Sequence, residues 1–108
     1  MYRKYTAAGN VSAVKMTTTD SRAEPCNGYI SHILITGDDA SADVTIADAI
    51  GNVFAKTGIA TNTSGGVHYK HDNADILRNH ITGQLTVTVA NNAGTVNIYV
   101  FFKPFAGN

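Results

Sequence analysis

The sequence predicts an all-β protein, a single-domain antiparallel β-sandwich or jelly roll of about eight short strands. Three observations carry that expectation. Leu85-Thr86-Val87-Thr88-Val89 and Val96-Asn97-Ile98-Tyr99-Val100-Phe101-Phe102 alternate apolar with polar residues. Alternate side chains of a strand share a face, so Leu85, Val87 and Val89 line one side, and Val96, Ile98, Val100 and Phe102 another. The link Asn91-Asn92-Ala93-Gly94 suits a tight turn, and the two runs read as an antiparallel hairpin. Finally, strand-like runs recur along the whole chain, with turn signals every roughly 8–12 residues.

Taken in order, Tyr2 to Thr6 reads as an edge strand or an extended arm, which sets residues 1–9 apart from a sandwich domain of 10–108. Val11 to Thr19 continues as a strand with Val14 and Met16 on one face and the β-branched Thr17, Thr18 and Thr19 after them. Asp20 to Gly28 is a loop, because Pro25 lacks a donor and Asn27-Gly28 is a turn pair. Tyr29 to Thr36 is a strong strand, with Ile33 and Ile35 facing one way and His32 and Leu34 the other. After the polar Gly37–Ala42 loop, Asp43 to Asp48 alternates cleanly, and Ala49-Ile50-Gly51-Asn52 turns it into Val53–Lys56. Gly58 to Gly66 is the longest expected loop. Val67 to His71 is a short strand with His68 and Lys70 outward. Asp72 to His80 is the one place where a helical turn fits, though it is short for a helix. The terminal strands end at Pro104.

Composition bounds the rest. A chain of 108 residues has room for one core. Its hydrophobic fraction is 44% and its charged fraction 15%, too apolar for disorder and poor in charge for a surface that stays alone. Eight basic residues balance eight acidic ones, so net charge offers no attraction to nucleic acid or to an anionic membrane. Cys26 has no partner for an internal disulfide, the N-terminus lacks a secretory apolar run, and no stretch spans a bilayer. Synthesis in a reducing cytoplasm is expected.

The catalytic constellations are missing. Cys26 has no adjacent base, and Glu24 is the single glutamate, so paired carboxylates of glycosidic type are not available. His68, His71 and Asp72 invite a metal reading. Strand geometry, however, sends the two histidines to opposite faces, and polar residues at a strand end explain them as well. Asp38, Asp39 and Asp43 lack the ligand alternation of a calcium loop. No enzyme activity, cofactor or metal is expected. The contact chemistry is aromatic instead. Tyr2-Arg3-Lys4-Tyr5 mixes cations and rings, fitting a docking arm or protected edge better than a nucleic-acid platform. If Val100 and Phe102 fill the core, Tyr99 and Phe101 point outward and Phe105 lies beyond the strand. Tyr2, Arg3, Lys4, Tyr5, Tyr99, Phe101 and Phe105 are therefore the expected partner contacts.

The order of a strand ending in Gly37, Val44-Thr45-Ile46-Ala47-Asp48 with a glycine turn, and Gly83 to Val89 followed by Val96 to Val100 resembles the small β-sandwich structural proteins of tailed bacteriophages. The resemblance runs from residue 29 to 103. It implies a virion structural role of the capsid decoration, or cement, type: a homo-oligomer, with a trimer expected, on the capsid exterior, bound to the major capsid protein or another virion protein. Neither nucleic acid nor membrane is an expected partner. The other reading left open is a carbohydrate- or receptor-binding module of a tail or head fibre, using Tyr69, His71 and the Gly58–Gly66 loop.

Overall fold

A computed structural model describes residues 2–16, 27–38, 41–61 and 65–105. Among the described residues nine strands run in chain order: β1 (Tyr2–Ala8), β2 (Val11–Lys15), β3 (Gly28–Gly37), β4 (Ala42–Ala47), β5 (Asn52–Ile59), β6 (Val67–Lys70), β7 (His80–Ile81), β8 (Thr86–Ala90) and β9 (Thr95–Pro104). All pairings are antiparallel. They form two sheets, a front sheet ordered β1-β9-β3-β6 with β7 also on β3, and a back sheet ordered β2-β8-β4-β5.

The chain behaves as one long hairpin folded at the β4–β5 turn. Its arms pair β4 with β5, β3 with β6, β2 with β8 and β1 with β9. Wrapping that ribbon brings β9 against β3 and β8 against β4. This is the jelly roll expected from the sequence. The two-residue β7 is the strand beyond the expected eight.

Alternation explains why these segments are strands. In β4 Ala42, Val44 and Ile46 are buried, in β8 Val87 and Val89, and in β9 Val96, Ile98, Val100 and Phe102. Both sheets turn these apolar faces toward one shared core, which also takes in Ile33, Ile35, Phe54 and Ile81. Burying each such side chain contributes about 1.5–3 kcal/mol, which the open face of a lone sheet would not supply.

Several expectations need correction. The two C-terminal runs are not a hairpin: β8 lies in the back sheet and β9 in the front sheet. The Asn91–Gly94 link is an arch between layers. Asn91 takes a positive φ of 53° there, and the buried Asn92 donates through Nδ2 to the carbonyl oxygens of Gly9 and Ala7. Two facing strands with one apolar side each read identically whether they pair edge to edge or stack face to face. Leu85 is buried but lies outside β8. The Gly58–Gly66 loop begins late, because β5 runs to the buried Ile59.

No helical turn forms over Asp72–His80. Leu77 N–H donates to the Val53 carbonyl and Ala55 N–H to the Asp75 carbonyl, so this segment lies along the free edge of β5. Tyr2–Ala8 is a full edge strand, paired with β9 from Tyr2↔Phe101 to Ala8↔Thr95. Cys26, Glu24 and Thr17–Thr19 lie outside the described residues.

Candidate functional site

The outer face of the front sheet gathers the chemistry. Its register sets Tyr2, Phe101, His32 and Lys70 in one row across β1, β9, β3 and β6. Lys4, Tyr99, Leu34 and His68 form the next row. The rings touch along the face: Tyr2 to Phe101 at 5.4 Å between centroids, and Phe101 stacked on His32 at 4.3 Å and 13°. Tyr99 lies 6.1 Å from Tyr2, and the Lys4 ammonium sits 5.3 Å from the centre of the Tyr99 ring.

Further along the same face Phe105 meets Tyr29 edge-on at 4.8 Å and His80 at 5.1 Å. Of the expected contact residues, then, Tyr2, Lys4, Tyr99 and Phe101 are brought together, and Phe105 joins a neighbouring ring cluster. Arg3 and Tyr5 are not part of this face. Strand parity turns them inward, with the Arg3 guanidinium 5.1 Å from the centre of the Phe102 ring and Tyr5 packed on the core. Tyr69 is buried as well, at 5.0 Å from Phe54, so it cannot serve as an outward platform.

A β-bulge shapes the middle of the face. The register between β3 and β9 jumps from Ile30↔Phe102 to His32↔Phe101, which leaves Ser31 as the extra residue. Ile30 and Ile33 both stay buried while Ser31 and His32 both lie on the outer side. Ser31, His32, His68, Lys70 and His71 then line one pocket of about 360 Å³. The expectation that His68 and His71 face opposite ways fails here. β6 ends at Lys70, and the turn after it breaks the alternation. Among the described residues no group of three or more His, Cys, Asp or Glu side chains is arranged to hold a metal ion.

Charge is segregated in a way that the zero net charge conceals. The five strands of the front sheet contain no Asp or Glu, yet they carry Arg3, Lys4, Lys70 and Lys103 with His32, His68 and His80. Three of the described carboxylates, Asp38, Asp43 and Asp48, serve the scaffold. Asp38 Oδ1 accepts from Thr95 N–H at 2.6 Å; Asp43 accepts from Gly58 N–H at 2.9 Å and from Asn91 Nδ2 at 2.6 Å. Asp48 grips Arg78 through two 2.8 Å hydrogen bonds. Burial alone would raise the Asp48 carboxyl, but the Arg78 contact and backbone N–H donors from Thr82, Gly51 and Ile50 hold it well below the usual range.

The aromatic outer face was legible in the alternation of β9. Ser31 and His32 were missed as members of a site because a one-residue bulge leaves no mark in the pattern, and Lys70 because the alternation of β6 does not reveal which strand it pairs with. No family model, curated protein or solved structure matches this chain. The phage-protein resemblance therefore rests on its strand and turn pattern alone.

Proposed function

We propose that the chain is a non-enzymatic virion structural protein of the capsid decoration type, which self-associates and fixes neighbouring shell subunits to one another. The observation that carries this reading is the ring-covered outer face of the front sheet, where Tyr2, Tyr99 and Phe101 lie together beside Lys4. Partner surfaces are enriched in such rings and depleted of carboxylates at their centres. The outer face of the back sheet is different, with Thr86 and Thr88 on β8 and Asp43, Thr45 and Ala47 on β4. That contrast supports a docking role for one side of the sandwich. A jelly roll with a cyclic assembly, a trimer in this reading, suits a shell position of matching symmetry.

Native mass spectrometry tests the reading. The wild-type chain should run as a closed oligomer, and the double variant Tyr99→Ser with Phe101→Ser should run as a monomer with a cooperative melt. A wild-type chain that stays monomeric at high concentration and binds no capsid shell would replace this reading with the alternative. That alternative, a carbohydrate- or receptor-binding module of a fibre, draws support from the pocket beside Phe101. A glycan-binding screen is its test.

A further inference from the structure

The pocket at the β3–β6 corner has a chemistry of its own. Lys70 is its permanent cation, His32, His68 and His71 supply three imidazoles, and Ser31 a hydroxyl; none of the five lining residues carries a carboxylate. Its volume of about 360 Å³ lies within the roughly 300–1,000 Å³ typical of small-ligand sites. His32 is held on two sides: its ring stacks on Phe101, and Ser31 Oγ lies 3.3 Å from its Nδ1. The His32 and His68 rings stand 6.2 Å apart between centroids, and both border the same pocket.

The geometry points to a binding site for the oxyanion of a small organic ligand, a phosphate or a carboxylate. Lys70 provides the fixed countercharge, the three imidazoles and the Ser31 hydroxyl donate, and the Phe101 ring stacked behind His32 holds that imidazole in place. The cationic front sheet raises the local concentration of such ligands although the whole chain is neutral. The site stands on the pocket alone and holds under either reading of the protein's role.

The test follows the histidine ring resonances of the full chain by NMR during titration with inorganic phosphate and, separately, with glucuronate. The expected result is saturable shifts at His32, His68 and His71, with His80 unmoved. Lys70→Ala should weaken binding by about tenfold or more, the worth of one charge-assisted hydrogen bond, while Lys70→Arg retains it. Lys70 is exposed on an edge strand, so the variant should keep its fold, and native mass spectrometry should find its oligomeric state unchanged. Tighter binding of phosphate identifies phosphorylated ligands; tighter binding of glucuronate identifies acidic sugars. Shifts that never saturate with either probe, that include His80 equally, or that survive Lys70→Ala at full strength overturn the proposal.

Discussion

At the turn after β4, the side chain of Asp48 is fully buried and accepts five hydrogen bonds: two from Arg78 and three from the backbone N–H groups of Ile50, Gly51 and Thr82. One carboxylate thus ties the β4–β5 turn to the approach to β8. Arg78 also donates to the His80 carbonyl at 2.7 Å, which fixes the short β7. Removing Arg78 strands a buried charge, and Arg78→Ala should cost about 3 kcal/mol, the lower end for breaking a buried pair because the guanidinium is partly exposed. The sign of the pH effect follows from the depressed carboxyl. The folded state holds Asp48 ionised below the 3.8 of a free aspartate, so its contribution is complete above that value and fades as pH falls through the lower folded value. Melting temperature should therefore drop steeply with acid in the wild type. In Asp48→Asn the chain should start less stable and show a shallower acid slope. Parallel slopes in the two proteins would assign acid sensitivity to other carboxylates. Nothing in the local sequence marks Asp48 above the other aspartates, since its partner lies 30 residues away.

At the scale of elements, β8 shows that an outward side chain is not an idle one. Val87 is buried in the core, and truncation to Ala should cost about 2 kcal/mol; Ile98→Ala in the facing β9 should cost about 3 kcal/mol. Thr86 and Thr88 both lie on the solvent side, but they differ. The β2–β8 register breaks between Val11 and Val14, where Ala13 takes a φ of 49°, and the Ala13 N–H donates to Thr88 Oγ1 at 3.0 Å. Thr88→Ala should therefore destabilise by about 1 kcal/mol, and Thr86→Ala by clearly less. Equal losses at the two threonines in chemical denaturation would mean that the bulge needs no cap. Strand identity and the buried faces of β3, β4, β8 and β9 were legible because alternation is a local property. The strand partners were not. The β8–β9 arch and the bulge at Ser31 depend on which sheet each strand joins, and a period of two carries no information about that.

Over the whole molecule, the rolled ribbon pairs the beginning of the chain with its end. β1 contacts only β9 within the front sheet, and that pairing joins residues such as Tyr2 and Phe101 across nearly the full sequence. Such non-local pairings close late and slowly in folding. Tyr99 and Phe101 were legible in the sequence as outward, but Tyr2 and Lys4 were not separable there from the inward Arg3 and Tyr5, and the charge segregation and the pocket appeared only when the strands came side by side. A detachable arm at the N-terminus would be one that the core does not need. The register argues otherwise: Ala7 is fully buried, Arg3 reaches over Phe102, and Tyr5 packs on the core. Deleting residues 2–8 would uncover the edge of β9, a ten-residue strand rich in Val, Ile and Phe, with its backbone donors and acceptors unpaired. An exposed, long apolar edge of this kind invites pairing with other chains. The truncated protein should melt well below the full-length chain or aggregate on expression. The milder double variant Tyr2→Ser with Lys4→Ser, which keeps every backbone pair, should retain the melt and lose only the proposed association. If the truncated chain instead melts like the intact one, β1 is a detachable strap, and the docking role assigned to its outer side chains passes to the arm as a whole.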